Sequence, residues 1–364
     1  MSVLKGVRVV EFEGLGPGPF CGMLLADLGA DVILIGRAGA AATGALFNRG
    51  KRVLPLDLKN PKHVAAAVRI AASADATIEG LRPGVMERLG LGPAVLMAAN
   101  PRLVYGRITG WGQTGPLASA AGHDLNYVSL AGAAWYAGQA GAAPAPPPTL
   151  VGDIGGGALY LAIGILAGVL KARETGAGSV VDAAIVDGAA HMLGLVMALR
   201  AAGGFPDERG RSMLDGADFY DVYQCADERW ISIGPLEPKF YALLIEKLGL
   251  RHDPRFAAQF DIPLWPERKA ALRAIFAERP SGHWCALLEG TDVCFAPVLT
   301  PSEARAHPHM KARAVWRDIG GVLQAAAAPR FDGQTPADPR PTAASEADAD
   351  AILKEAGLTR ADLG

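Results

Sequence analysis

The chain has 364 residues, which is too long for one minimal domain and favours a large domain together with a smaller one. A formal net charge of −2 excludes the strongly basic field of a nucleic-acid or membrane-surface binder. The four cysteines, Cys21, Cys225, Cys285 and Cys294, are far apart and show no CxxC spacing, so neither a zinc site nor a disulfide framework is expected. The N-terminal sequence lacks the pattern of a signal peptide, and a cytoplasmic location is expected.

The first 110 residues alternate between strand and helix patterns. Short apolar runs predict strands at Val7–Phe12, Asp31–Ile35, Ala76–Glu79 and Leu103–Ile108. Helices are predicted at Phe20–Leu28 and, from an N-cap at Asn60 with Pro61 at the first helical position, as far as Ala72. This order predicts an α/β fold with a parallel sheet, in which ligands usually bind at the carboxyl ends of the strands.

The rest of the chain changes character after a glycine-punctuated linker at 203–218. Before the linker, the patterns predict a loop at 137–148, a helix at Ala158–Arg173, a strand at Val180–Ala184 and a helix at Asp187–Ala201. After it, they predict strands Phe219–Gln224 and Trp230–Ile233, helices Pro238–Leu248 and Arg268–Ala277, and a final helix at Ala349–Glu355. The strands and helices predicted after the linker therefore indicate a small α+β domain. The most apolar stretch, Ala158–Leu170, is shorter than a bilayer span.

A glycine-rich loop and a set of basic residues could hold an anionic ligand. The loop Glu13–Pro19 follows the first strand, but Pro19 replaces the third glycine of the dinucleotide fingerprint, so the loop does not argue for NAD and a tight βα turn is the simpler interpretation. Basic side chains near the strand ends could pair with phosphates or simply be solvated: Arg37, Arg49, Lys51, Arg52, Lys59, Arg82 and Arg88. Arg82 is the strongest candidate, because Pro83 and Gly84 fix its loop.

Three short segments could carry chemistry. Gly122–Tyr127 groups an imidazole, a carboxylate, an amide and a phenol at a predicted helix start, and His123 could accept a proton near neutral pH or be a surface residue. Asp153 precedes three glycines, which suggests a backbone lying close to a bulky ligand, although a helix N-cap is the alternative. Glu237 lies between a strand and a helix, where capping by a first-turn acid explains it, and nothing in the local sequence favours another role.

Together these segments resemble the alpha-methylacyl-CoA racemases, a group within the class III (family III) CoA-transferase superfamily. The resemblance extends over almost the whole chain and is carried by ordered motifs: Gly6–Glu11, Gly16–Pro19, Ala26–Asp31, Glu79–Gly84, Glu87–Gly90, Thr109–Pro116, Gly122–Asp124, Gly152–Gly157, Val181–Ala184, Met213–Gly216 and Glu237–Pro238.

The resemblance implies an interlocked homodimer of ring-shaped chains. Each chain would have a large Rossmann-like domain over residues 1–200, completed by 315–364, and a small α+β domain over 219–300, with linkers at 201–218 and 301–314. The active site would lie between the large domain of one chain and the small domain of the other.

The resemblance also implies the site residues. His123 and Asp153 would be the catalytic acid/base pair, and Glu237 would orient the histidine. The implied CoA-binding positions are Arg37, Leu56, Asp57, Leu58, Lys59, Gly80, Leu81, Arg82, Arg88, Gly122, Asp124, Leu125, Asn126 and Tyr127. No separate cofactor is expected, because CoA is part of the substrate, and no metal, nucleic-acid or membrane-inserted partner is expected.

The implied reaction interconverts (R)- and (S)-2-methylacyl-CoA thioesters, which requires a base on one face of the α-carbon and an acid on the other. The backbone N–H of Asp124 is expected to stabilise the enolate oxygen, and Asp153 can act as an acid only if its pKa is raised. The alternative is a CoA-transferase in which Asp153 is the nucleophile, but His123 is the residue that disfavours it. A non-catalytic CoA-binding protein would lack the acid/base residues.

This chain departs from its relatives at three places. Gly36 stands before Arg37 where an acid is common, the chain is one residue shorter after Met213–Gly216, and residues 142–148 are rich in proline. These departures leave the acid/base pair intact and concern the acyl group, whose identity the sequence does not specify.

Overall fold

The structure is a computed structural model that describes residues 2–37, 44–334, 337–340 and 345–364. Its contacts form two compact units. The first comprises Met1–Ala133, Pro147–Met192 and Pro308–Gly364, and the second comprises Ala134–Pro146 and Leu193–His307. These compact units are defined by contacts within the chain. The domain bounds predicted from the sequence describe folding domains instead, and they stay a prediction.

The first unit is built on a parallel sheet of six strands, which confirms the predicted α/β fold. The strands are β1 (Arg8–Phe12), β2 (Asp31–Gly36), β3 (Arg52–Pro55), β4 (Ala76–Glu79), β5 (Val104–Thr109) and β6 (Ser179–Ala184). Their order is β3-β2-β1-β4-β5-β6, so the chain reverses direction across the sheet between β1 and β4. The loops that follow β1 and β4 therefore emerge side by side at the carboxyl edge, where α/β sheets bind ligands.

Helices cover both faces of this sheet. They are α1 (Pro17–Asp27), α2 (Gly44–Phe47), α3 (Pro61–Ala72), α4 (Val85–Arg88), α5 (Pro93–Ala99), α6 (Asp124–Leu130), α7 (Leu159–Thr175) and α8 (Ile185–Met192). Alternate strand residues enter opposite cores: Val10 and Ile33 pack in the cluster that includes α3 and α5, whereas Val9 and Val32 pack with α1 and α7. Both faces are buried, as in parallel sheets generally. Asn60 caps α3 by accepting the N–H of Lys62, as predicted.

A π-helix at Leu150–Ala158 leads directly into α7. Its wider turn is visible where the N–H of Ile154 donates to the carbonyl of Thr149, five residues earlier, at 3.0 Å. The combined helical stretch Leu150–Thr175 has 26 residues and is long and apolar enough to cross a membrane by length and composition alone. Leu161 and Ile165 of α7 are completely buried against the sheet, whereas Ile163 and Leu170 are exposed.

The second unit has a three-stranded antiparallel sheet of β7 (Asp221–Gln224), β8 (Trp230–Ile233) and β9 (Phe295–Pro297). Its helices are α9 (Gly194–Ala201), α10 (Pro238–Lys247), α11 (Trp265–Ala277), α12 (Ser281–Leu288) and α13 (Pro301–Ala306), with 3₁₀ turns at Pro254–Phe256 and Ile262–Leu264. The predicted single helix over Asp187–Ala201 is wrong, because α8 ends at Met192 and α9 begins at Gly194.

The C-terminal segment returns to the first unit. It contains α14 (Pro308–Ala312), a hairpin of β10 (Trp316–Ile319) and β11 (Val322–Ala325), α15 (Glu346–Glu355) and a 3₁₀ turn at Arg360–Asp362. Ile352 and Leu353 of α15 join the same core as α3 and α5, so the end of the chain completes one face of the parallel sheet.

Candidate functional site

His123 begins the helix that follows the fifth strand. It occupies the N-cap position of α6, with extended backbone, and its side chain is exposed. The N–H of His123 donates to Oδ1 of Asn126 at 3.0 Å, and the N–H of Asn126 donates back to the carbonyl of His123 at 2.8 Å. This reciprocal pair fixes the helix start in the manner of a capping box. The backbone that carries the imidazole is therefore well defined.

Asp153 lies in the first turn of the π-helix, half-buried beside the loop after β1. A Cβ atom placed on Gly16 of that loop would lie 3.7 Å from Oδ2 of Asp153. Burial and, next, the negative charge of Asp124 raise the pKa of Asp153, while the positive form of His123 acts in the opposite direction. A raised pKa is what Asp153 needs in order to act as an acid. Asp153 is not a helix N-cap, so the structural alternative proposed for it is wrong.

The glycines after Asp153 serve helix packing. A Cβ on Gly156 would lie 2.5 Å from the backbone nitrogen of Ala189, and one on Gly157 would lie 2.9 Å from Cγ1 of Ile185. Both neighbours belong to α8. The expectation that these glycines make room for a bulky ligand is therefore wrong at Gly156 and Gly157, because the backbone approaches another helix there.

The buried Tyr127 ring packs beneath the start of α6. The Tyr127 hydroxyl donates to the carbonyl of Gly122, and the ring meets that of Trp111 edge-to-face with centroids 4.7 Å apart. Cβ atoms on Gly110 or Gly122 would overlap with the Tyr127 ring. Burial raises the pKa of the Tyr127 phenol. Of the other implied positions on this helix, Leu125 and Asn126 are exposed at its surface.

The loop after β3 presents one cation at the carboxyl edge. Leu56 is buried and Leu58 packs against the same core, so neither side chain is free for a ligand. The N–H of Asp57 donates to Nδ1 of His63 at 2.8 Å, and the carboxylate of Asp57 accepts the N–H of Lys59 at 3.0 Å. These bonds define the backbone of the turn and leave the Lys59 side chain exposed.

An ion triplet, buried at Glu79 and Arg107, supports the loop after β4. The Glu79 carboxylate accepts the N–H of Leu81 at 2.8 Å and Nε of Arg107 at 2.7 Å, and Arg107 binds Glu87 with both terminal nitrogens. The side chains of Glu79 and Arg107 are 0% and 7% exposed. The backbone from Gly80 onward is thereby fixed between β4 and α4.

The arginines of this edge stay available to solvent. Arg82 and Arg88 are exposed, and a Cβ on Gly84 would lie 3.3 Å from a terminal nitrogen of Arg88. Arg37 is also exposed, and its N–H donates to the Glu13 carboxylate at 2.9 Å. These three exposed guanidinium groups follow β2 and β4, the strands on either side of β1, and such groups are suited to phosphates.

Three other basic residues considered as ligand candidates have internal partners instead. Their ion pairs are Arg49–Asp27 at 2.5 Å, Lys51–Glu11 at 2.6 Å and Arg52–Asp31 at 2.6 Å. Lys51 is completely buried, and its ammonium also donates to the carbonyl of Pro19 at 3.1 Å. These cations stabilise the fold.

Glu237 belongs to the second unit. It occupies the N-cap position of α10 without a capping bond from its side chain, and the carboxylate is exposed. Its charge is among the causes that raise the pKa of Cys294, after burial. Helix capping by this side chain, the alternative left open above, does not occur. Its role toward His123 stays a prediction.

This chain is similar to proteins of known class along most of its length. Residues 4–346 match the sequence profile of CoA-transferase family III, and the chain belongs to that family. It is 41% identical over 338 residues to the mouse (Mus musculus) alpha-methylacyl-CoA racemase, covering 93% of this chain and 88% of that protein. It is 42% identical over 311 residues to the human (Homo sapiens) alpha-methylacyl-CoA racemase, covering 85% and 81% of the two chains.

The solved structures agree with the fold. The crystal structure of a CAIB/BAIF family protein from Brucella suis superposes with a TM-score of 0.81 at 28% identity, covering 97% of this chain and 99% of that one. The family resemblance inferred from the sequence motifs is therefore confirmed.

Proposed function

We propose that this protein is a racemase that interconverts (R)- and (S)-2-methylacyl-CoA thioesters. The observation that carries the proposal is the pairing of His123, at the start of α6, with a half-buried Asp153 whose pKa is raised. Similarity to two mammalian racemases over most of the chain supports the same reaction. The exposed arginines at the carboxyl edge supply the cations that a CoA phosphate needs.

The reaction needs only proton transfers. The neutral imidazole of His123 removes the α-proton of one epimer, and the electron pair of the broken C–H bond moves into the thioester as an enolate. The protonated carboxyl of Asp153 then gives its proton to the opposite face of the carbon, which inverts the centre. In the reverse direction the Asp153 carboxylate is the base and the imidazolium is the acid. The N–H of Asp124, at the first position of α6, donates to the enolate oxygen.

We infer that the working form is an interlocked homodimer, in which Glu237 of a partner copy accepts a hydrogen bond from the imidazole and orients it. A carboxylate in that position also stabilises the imidazolium after proton removal. We also propose a role in fatty-acid and lipid metabolism, which an acyl-CoA substrate would fit, and a cytoplasmic location. Sedimentation analysis should give the mass of two chains, and a monomer would contradict the assembly.

The test follows the α-proton in deuterium oxide. The wild type should exchange the α-proton of a 2-methylacyl-CoA and invert the centre, and His123→Ala and Asp153→Ala should each reduce inversion by about 10²–10⁴-fold. His252→Ala is the matched control, because His252 is exposed in the second unit and has no proposed role. Full activity of either site variant would refute the two-base assignment.

A second assay separates racemisation from CoA transfer. The enzyme is incubated with an acyl-CoA and a panel of free carboxylic acids, and new CoA thioesters are measured. A racemase needs no acceptor and should form none. Acceptor-dependent CoA transfer that is lost in Asp153→Ala would instead assign Asp153 as the nucleophile of a transferase.

A further inference from the structure

The Asp124 carboxylate connects the segments that carry His123 and Asp153. Asp124 follows His123 on α6, and its side chain reaches the start of the π-helix. Oδ2 accepts the N–H of Thr149 at 3.1 Å, and Oδ1 accepts the N–H of Asp153 at 2.8 Å. A helix start has backbone N–H groups without partners inside its own helix, and here a side chain from another helix satisfies them.

The first turn of the π-helix is shaped around this contact. A Cβ on Gly152 would overlap with Oδ1 of Asp124, so only glycine lets the carboxylate approach. Thr149 has φ = 62°, a left-handed conformation that is unfavourable for a β-branched residue. Such a conformation persists only where the surroundings impose it. The N–H of this strained Thr149 is one of the two that donate to the Asp124 carboxylate.

The same carboxylate acts on Asp153 electrostatically. After burial, the charge of Asp124 is the largest cause that raises the pKa of Asp153, and His123 opposes it. The charge of Asp153 is in turn, after burial, a cause that raises the pKa of the Tyr127 phenol. His123 and Asp124 both belong to the start of α6, so this helix start places Asp153 and, after burial, adjusts its pKa.

We propose that Asp124 is a positioning residue, whose carboxylate fixes the first turn of the π-helix so that Asp153 can deliver a proton to the face of the α-carbon opposite His123. The inference rests on the proposed function. It assigns to the side chain of Asp124 a role separate from that of its backbone N–H at the enolate oxygen.

The test is Asp124→Asn, assayed by racemisation and by α-proton exchange in deuterium oxide. The amide keeps one acceptor oxygen but turns an NH₂ group toward the second backbone N–H, so one contact is lost. Racemisation should fall by about 10²-fold, the scale of a misplaced reacting group. Exchange without inversion should fall much less for the epimer whose α-proton faces His123, because His123 can still remove and return a proton there.

The pH profile provides a readout that a loss of folded protein would not move. With the Asp124 charge gone, the limb of the racemisation profile that reports Asp153 should move to lower pH, while the KM for the CoA ester stays near the wild-type value. Gly152→Ala is a second variant, which displaces the carboxylate without removing it. It should raise the ratio of exchange to racemisation in the same way.

Asp75→Asn is the matched control. The Asp75 carboxylate also accepts a backbone N–H, that of Arg8 at 2.9 Å, but it does so at the amino end of the strands. Its exchange-to-racemisation ratio should equal that of the wild type. If Asp124→Asn and Gly152→Ala keep the wild-type ratio and pH limb in an active enzyme, the positioning role is overturned. A wild type that neither exchanges nor racemises would overturn the proposed function, and this inference with it.

Discussion

Removing the guanidinium of Arg107 should both destabilise the protein and weaken CoA binding. Arg107→Met keeps most of the side-chain stem and deletes the charge between Glu79 and Glu87. Nε of Arg107 is 2.7 Å from Oε1 of Glu79, and the two side chains are 7% and 0% exposed. The substitution therefore leaves a buried carboxylate with the N–H of Leu81 as its remaining partner in the loop.

The expected cost is dominated by the buried half of the triplet. Stranding one partner of a buried ion pair costs about 3–5 kcal/mol. The Glu87 half adds less than about 1 kcal/mol, because its carboxylate is 45% exposed and screened by water. Burial already raises the pKa of Glu79 against the opposing effect of Arg107, so the loss of Arg107 should raise that pKa further.

Urea unfolding measures the stability, and two substrates locate the functional effect. The KM for a 2-methylacyl-CoA should rise, because the loop that carries Arg82 loses its support. The KM for the corresponding acyl-pantetheine thioester, which lacks the nucleotide phosphates, should change little. The control is Arg229→Met, since the Arg229–Glu303 pair has the same 2.7 Å separation but side chains that are 43% and 37% exposed. Its loss of unfolding free energy should be much smaller than that of Arg107→Met, because water screens the exposed pair.

Two outcomes would refute this reasoning. Equal losses of unfolding free energy in Arg107→Met and Arg229→Met would show that burial of the Glu79 carboxylate does not set the cost. A stability loss with an unchanged KM for the CoA ester would show that the triplet supports the sheet without positioning the Arg82 loop.

Two further predictions concern packing and pH. Gly156→Ala should lower the unfolding free energy by about 1–3 kcal/mol, because the added Cβ meets the backbone of α8. The control Gly194→Ala, whose Cβ meets open space, should not be destabilising. Equal urea midpoints for the two variants would contradict this. Burial raises the pKa of Asp218 to about 6 despite Arg268, whose Nε is 3.5 Å from the carboxylate. The folded chain thus holds the Asp218 proton more tightly than the unfolded chain does. The free energy of unfolding gained in this way is full below about pH 4 and is lost as the pH rises through about 6, a change of about 3 kcal/mol. Asp218→Asn should remove this change from the pH dependence of urea unfolding, and an unchanged pH dependence in that variant would be evidence against it.

The parallel sheet could be predicted where each strand is a short, mostly apolar run. β1, β2, β4 and β5 are of this kind, because both faces of a parallel sheet are buried. β3 could not be predicted in this way, since it is short, begins with Arg52 and ends with Pro55. Its position at the edge of the sheet is what tolerates the proline, and edge position is not visible in the local sequence.

The site residues divide in the same way. The helix start at His123 follows from local sequence. The role of the glycine run does not, because it depends on the approach of α8, and the hydrogen bonds of Asp124 join it to residues 25 and 29 positions away. Charge alone likewise could not separate Arg82, which is exposed, from Lys51, which is completely buried beside Glu11.

The π-helix makes the direction of Asp153 depend on the number of residues in one turn. Successive helical residues point in different directions around the axis, so the loss of one residue between Leu150 and Asp153 would rotate the carboxyl to another side of the helix. The strand framework and the arginines of the carboxyl edge would be untouched by such a deletion. Within this fold, a change in the length of a single segment could therefore separate thioester binding from proton transfer.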